Sequence, residues 1–149
     1  LEAKKQVIES VFEEAKNKIE DKRTFTILTE LYEFTKANAD LVEWGTGQAK
    51  GSFSFKLELS SGVISLVDLR TNGTIIFRFG SISRRIGKEF ASDFYNKLSV
   101  LPFIKKWSKE ESIETNWHVK GSLGEVLPND EAVKKLRSAI LDFIKEIKK

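Results

Sequence analysis

Residues 52–59 read Ser-Phe-Ser-Phe-Lys-Leu-Glu-Leu, a strict alternation of polar and apolar side chains. Only an extended strand with one buried face satisfies a period of two. Two further apolar runs follow, residues 63–70 and 74–79, bounded by Ser60-Ser61-Gly62 and Thr71-Asn72-Gly73. A two-residue turn at Asn72-Gly73 would place Asp68 and Arg70 on the same face as Ile75 and Phe77, which a core resists. A three-residue loop with a left-handed glycine last shifts the pairing by one and sets Leu69 against Ile75 and Val67 against Phe77. The same rule at the first turn sets Leu59 against Val63 and Phe55 against Val67. The expectation is an antiparallel meander with Phe53, Phe55, Leu57, Leu59, Val63, Val67, Leu69, Ile75, Phe77 and Phe79 on one apolar face. Its other face would then carry Ser52, Ser54, Lys56, Glu58, Asp68, Arg70, Thr74 and Arg78 around an aliphatic centre of Ile64, Leu66 and Ile76.

Helices are expected on both sides of this sheet. Ile8, Val11, Phe12, Ala15 and Ile19 recur at three- and four-residue steps, the period of an amphipathic helix. Its partner face must come from elsewhere in the domain or from an upstream one. Thr24 or Thr26 is placed to cap a second helix that carries Ile27, Leu28, Leu31, Tyr32 and Phe34 and ends near Asn38. Gly80 is read as ending the sheet, and Ile86, Phe90, Phe94 and Leu98 as marking a helix capped by Ser83. Pro102 permits a short helix through Trp107. The alternation of Ile113, Thr115, Trp117 and Val119 allows a fourth strand, with a loop at Gly121, Gly124 and Pro128. Asn129 or Asp130 caps a last helix with a Val133, Leu136, Ile140, Phe143, Ile147 stripe. The fold class is therefore α+β: an antiparallel three- to four-stranded meander packed against N- and C-terminal helices.

A length of 149 residues fits a single domain, 1–149, able to bury a core unaided by disulfide or metal. The chain has neither cysteine nor methionine, even at position 1. It thus reads as a piece of a longer protein, with residues 1–22 open to interpretation as a linker from an upstream domain. Absence of cysteine excludes disulfides and thiolate chemistry and fits a cytoplasmic location. No apolar run reaches membrane-spanning length, so no membrane partner is expected.

The net charge of +3 is unevenly spread. Residues 70–109 hold nine Lys and Arg against only Glu89 and Asp93. Such a local excess attracts polyanions, although a solvated helix surface accounts for it equally well.

Trp44-Gly45-Thr46-Gly47-Gln48-Ala49-Lys50-Gly51-Ser52-Phe53 nearly spells a phosphate loop. A true P-loop needs glycine, then lysine, then Ser or Thr, after a strand and opening a helix. Here lysine precedes glycine, and the segment opens a strand. What survives is an anion nest of backbone N–H groups beside Thr46, Lys50 and Ser52, weighed against a plain helix-to-strand connector. One histidine, His118, and no carboxylate cluster argue against a metal site, and no serine sits in a nucleophile-elbow context. The Glu-x-Lys pairs Glu2/Lys4, Glu14/Lys16 and Glu146/Lys148 all fall on expected helices, so a restriction-type nuclease centre is not formed. No cofactor, metal or catalytic residue is assigned.

The motif Trp44-Gly45-Thr46-Gly47, three residues, then Gly51-Ser52-Phe53, preceded by the helix LYEFTKANAD, resembles an uncharacterised domain family found in chains that also carry restriction-endonuclease-like nuclease domains. The resemblance covers residues 27–80, with a looser likeness in the C-terminal helix, and implies an accessory domain of a DNA-processing or defence protein. Taken together, these observations lead to a non-catalytic module contacting nucleic-acid backbone or a neighbouring nuclease domain. Its candidate contacts are Thr46, Lys50, Ser52, Lys56, Arg78, Arg84, Arg85, Lys88, Lys105 and Lys106. Two alternatives stand beside it: a protein-interaction or homo-oligomerisation domain using Ile64, Leu66 and Ile76, and a small-anion binder at the glycine loop.

Overall fold

The computed structural model describes residues 12–13, 15–17, 19, 21–46, 51–106 and 119–148. In chain order these form α1 (Lys22–Asn38), β1 (Leu41–Thr46), β2 (Gly51–Leu59), β3 (Gly62–Arg70), β4 (Thr74–Phe77), α2 (Phe79–Ile86), α3 (Lys88–Leu98), α4 (Pro102–Lys105), β5 (Val119–Ser122), α5 (Leu123–Val126) and α6 (Asp130–Ile147). Residues 12–13 and 15–17 are also helical. The five strands lie in sequence order and every neighbouring pair is antiparallel. The fold is α+β, with five strands rather than three or four. The extra strand is β1, and the glycine-rich segment therefore joins two strands of a hairpin instead of a helix to a strand, with the ladder closing at Thr46 and Gly51.

The second turn forms as its residues dictate. Gly73 adopts φ +87°, a conformation that strains any side chain. Its N–H donates to the Arg70 carbonyl, the Asn72 side chain accepts from the Thr74 N–H, and Leu69 faces Ile75 and Val67 faces Phe77. At the first turn the expected register is wrong. Leu59 pairs with Gly62 and Glu58 with Val63 across a two-residue Ser60-Ser61 connection. A β-bulge then restores Phe55 opposite Val67, because Leu66 is an extra residue on β3 between the partners of Phe55 and Lys56.

The bulge decides which side chains are core. Ile64 pairs with Leu57 on the apolar face and is wholly buried, as is Leu66, while Val63 is 39% exposed. The aliphatic centre expected on the other face is thus mostly consumed by the chain's own core; Ile76 alone remains there, buried but apart from the main cluster. Truncations separate the two registers. Ile64→Ala should cost about 2–5 kcal/mol and Val63→Ala less than about 0.5 kcal/mol, measured by urea unfolding. The reverse ranking would restore the unbulged pairing.

Helices cover the apolar face. The cap of α1 is Asp21, not Thr24 or Thr26: its carboxylate accepts from the Arg23 N–H and the Thr24 hydroxyl. These two bonds hold the Asp21 carboxyl below its ordinary range, the Thr24 hydroxyl contributing most. Phe12, Tyr32, Trp44 and Phe53 form one aromatic group, with Phe12 and Tyr32 edge to face at 4.9 Å, so the N-terminal segment finds part of its partner face within this domain. Residues 79–98 form two helices, not one. Phe79 and Gly80 already belong to α2, Gly87 breaks the chain before α3, Ser83 caps nothing, and Phe90 is 38% exposed. The Ser81 hydroxyl takes the Ser65 N–H at 3.2 Å, so α2 satisfies a donor of β3 beyond the end of the short β4.

Helix α4 stops at Lys105, and Trp107 lies outside the described residues, as does most of the 113–119 alternation. Gly121 and Gly124 stand in β5 and α5 rather than in a loop. Asn129 caps α6 by accepting the Ala132 N–H at 2.8 Å. Past the other end of α6, the Lys148 ammonium contacts both Asp40 oxygens at 2.8 and 2.6 Å, and Asp40 Oδ2 also accepts the Glu58 N–H. That ammonium, with the N–H, holds the Asp40 carboxyl below its ordinary range and ties the last helix to the α1–β1 joint. Among the described residues no helix is long and apolar enough to cross a membrane.

Candidate nucleic-acid interface

The second face of the sheet is built by strand parity. Side chains one removed from the core positions align across the strands in rows. Gly45, Ser52 and Arg70 form one row, and Thr74 with Ser122 continues it across the 71–73 turn. Two residues further along stands Glu43, Ser54, Asp68, Ile76, Lys120, paired without a gap from β1 to β5. Beyond these lie Leu41, Lys56 and Ser65, with Arg78 at the end of β4. No aromatic side chain occurs in any row. Bases therefore have no stacking platform here, and hydroxyls and guanidinium groups set the chemistry.

Charges on this face differ in how far they are already engaged. Lys56 contacts Glu43 at 3.0 Å. Arg78 contacts Asp68 through one Nη1–Oδ2 approach of 3.3 Å. Arg70 has no carboxylate partner among the described residues; its strand position pairs with Ser52, whose hydroxyl lies over Gly45, and Thr74 follows across the turn. Lys120 is exposed at the sheet edge on β5. A guanidinium with no carboxylate partner among the described residues, on a face whose neighbouring positions carry hydroxyls, suits an acceptor-only oxyanion such as a phosphodiester.

The structure brings together only some of the expected contact residues. Ser52, Lys56 and Arg78 share this face. The backbone of Thr46 ends β1 opposite Gly51, and Lys50 lies outside the described residues. Arg84 and Arg85 project from α2, with Arg85 against Gly62 at the hairpin between β2 and β3. Lys88 starts α3. Lys105 and Lys106 lie at the far end of the sheet, where Lys106 stands over the Phe103 ring and that ring abuts Gly121. Between the strand positions that Arg85 and Lys106 neighbour, Gly62 and the Leu69 to Gly121 level, β3 runs seven residues, roughly 23 Å. Lys97 is held by Asp93 at 2.9 Å and Glu146 at 3.0 Å. Contact with those two carboxylates outweighs desolvation and raises the Lys97 pKa. The basic segment 70–109 is thus contiguous in sequence and divided in space.

Sequence reasoning passed over Lys120 and Ser122, because the strand that carries them begins where the readable alternation ends. It also left Arg70 out of the site while placing it on the right face. Among the described residues no three His, Cys, Asp or Glu side chains converge as a metal site would require. A cleft of about 820 Å³ between α3 and α6 is lined by Lys97, Glu131, Lys134, Lys135 and Asp142 and includes no residue of the second face. Compared with protein-family models, curated proteins and solved structures, the chain matches none.

Proposed function

We propose that this chain is a non-catalytic binding module that contacts nucleic-acid backbone through the second face of its sheet, as an accessory domain of a DNA-processing or defence protein. The observation that supports this reading is the Ser52–Arg70–Thr74–Ser122 row, with an Arg70 guanidinium that no described carboxylate neutralises. Phosphate contacts of this kind fix position on a strand and carry no sequence information. Arg85, beside Gly62 at the opposite end of β3 from Arg70, lies too far along the sheet to join the same contact.

Fluorescence anisotropy with a labelled single strand and a duplex, at about 50 and then 200 mM salt, tests the proposal. Binding should weaken steeply with salt. Arg70→Ala should reduce the slope of log K against log salt by roughly 0.7–0.9, the increment for one phosphate, while leaving thermal stability unchanged. No detectable binding at the lower salt removes the reading.

A further inference from the structure

We infer that β1 is a dimerisation edge, pairing antiparallel with β1 of a second copy of this chain so that the two sheets become one. The sheet has two edge strands, β1 and β5, and only one of them is blunted. Natural sheets protect an edge by shortness, by lysine or proline, by a bulge or by a covering element. Strand β5 is four residues long, carries the exposed Lys120, and has the Phe103 ring against Gly121. Strand β1 is six residues long, contains no lysine or proline, and pairs with β2 without a bulge. Its one charge, Glu43, is engaged by Lys56. Val42 and Trp44 carry the core out to this edge, both half-buried. Among the described residues no strand pairs with its outer side.

Backbone parity fixes which groups face outwards. The Thr71 N–H donates to the Gly51 carbonyl, so Gly51, Phe53 and Phe55 turn their N–H and C=O groups towards β3. Ser52, Ser54 and Lys56 then turn theirs towards β1, where the Lys56 carbonyl accepts the Asp40 N–H. Their partners Gly45, Glu43 and Leu41 bond inwards. Val42, Trp44 and Thr46 therefore aim their N–H and C=O groups out of the sheet. A two-fold axis normal to the sheet pairs these outward residues with one another. One register uses them all: Trp44 opposite the partner's Trp44, and Val42 opposite the partner's Thr46. Glu43 then faces the partner's Gly45. A slip that sets Val42 against the partner's Trp44 brings Glu43 against the partner's Glu43, a like-charge pair that destabilises a ladder. The opposite slip takes Val42 past the end of the partner's strand. This self-complementary register selects a second copy over an unrelated strand. It also brings together two Trp44 rings, each already 5.2 Å from Tyr32 and 5.5 Å from Phe53, and cross-strand aromatic pairs stabilise a sheet. The inference does not depend on nucleic-acid binding, although the same axis places both second faces on one side.

The test is sedimentation equilibrium of the intact chain, without nucleic acid, from about 1 μM to 1 mM. The average mass should rise from one chain to two across this range and stop there. Val42→Pro removes an outward N–H and no bond to β2, and should weaken the dimer at least about tenfold. Nuclear magnetic resonance on the unaltered protein fixes the register and does not depend on how that variant folds. The Val42, Trp44 and Thr46 amides should exchange slowly only at high concentration. A mixture of differently labelled chains should show a contact between Glu43 Hα and Hα of the partner's Gly45. A chain that stays monomeric at the highest concentration overturns the inference, as does a dimer in which the Val42 and Trp44 amides exchange as fast as in the monomer. Either result leaves the nucleic-acid reading as it stands.

Discussion

Phe143→Ala is expected to cost about 3–5 kcal/mol of folding stability, the usual range for emptying a buried aromatic site. The Phe143 ring is fully buried on the inner stripe of α6 and lies 4.6 Å from that of Phe94 on α3. Phe94 is 5.7 Å from Phe79 on α2, and Phe79 is 6.3 Å from Phe77 on β4. Four rings in succession therefore connect the last helix to β4 of the sheet through two intervening helices. Removing the terminal ring opens a cavity whose walls belong to different elements and cannot close together. Against a total stability of about 5–15 kcal/mol, a loss of this size is a large fraction. Melting followed by circular dichroism should fall by roughly 10 °C, taking about 2–4 °C per kcal/mol for a chain of this size. Phe90→Ala, on the exposed side of α3, should shift it by no more than about 2 °C. Equal effects at the two positions would mean that α6 does not pack on α3 as described.

The contrast between Phe90 and Phe143 also shows where sequence periodicity succeeds. The stripe on α6 is a clean three-and-four repeat ended by a good cap, and its inward residues follow directly. Residues 86–98 carry a similar stripe, but Gly87 divides them, and the second helix rotates Phe90 outwards. In the sheet, the Thr71-Asn72-Gly73 loop was legible because the left-handed glycine fixes the register locally. The bulge at Leu66 was not, since one extra residue is permitted by any sequence whose flanking alternation still works on both sides. Its trace is the run Ile64-Ser65-Leu66-Val67, four buried residues in succession where a half-buried strand should show two. Strand β1 escaped because Glu43 and Gly45 interrupt a short segment that only pairing with β2 makes extended. The same logic governs the interface. Ser52, Lys56 and Arg78 were brought to one face by strand parity. The clustering of charge along residues 70–109 says nothing of space, because three helices and two changes of direction separate Arg78 from Lys106.

Gly121→Val tests the edge of that interface, and here the sign of the effect is diagnostic. On an ordinary edge strand, exchanging glycine for valine gains up to about 1 kcal/mol in strand preference. At position 121 a Cβ would sit 2.5 Å from Phe103 Cζ, 2.9 Å from Phe103 Cε1 and 3.0 Å from Val126 Cγ2. The first two distances are closer than real Cβ atoms come. The helix that carries Phe103 is anchored by the buried Leu101 and Ile104, so the ring can yield only by turning its far end away from β5 and giving up that contact. Overpacking of this kind costs about 1–3 kcal/mol for a single added group, and valine adds three carbons. The expected loss is therefore about 3 kcal/mol, with alanine near the lower end of the range. Strain should be relieved by release of β5, which holds only four pairs with β4. Lys120 and Ser122 would leave the second face with it, so the nucleic-acid binding proposed for that face should weaken alongside stability, whereas Phe143→Ala should spare it at temperatures where the variant remains folded. Phe103→Ala in the Gly121→Val background should recover part of the loss, since the two changes share one contact and are not additive. A gain in stability from valine alone would show that the ring does not rest on β5, and that this edge of the sheet is free to adjust.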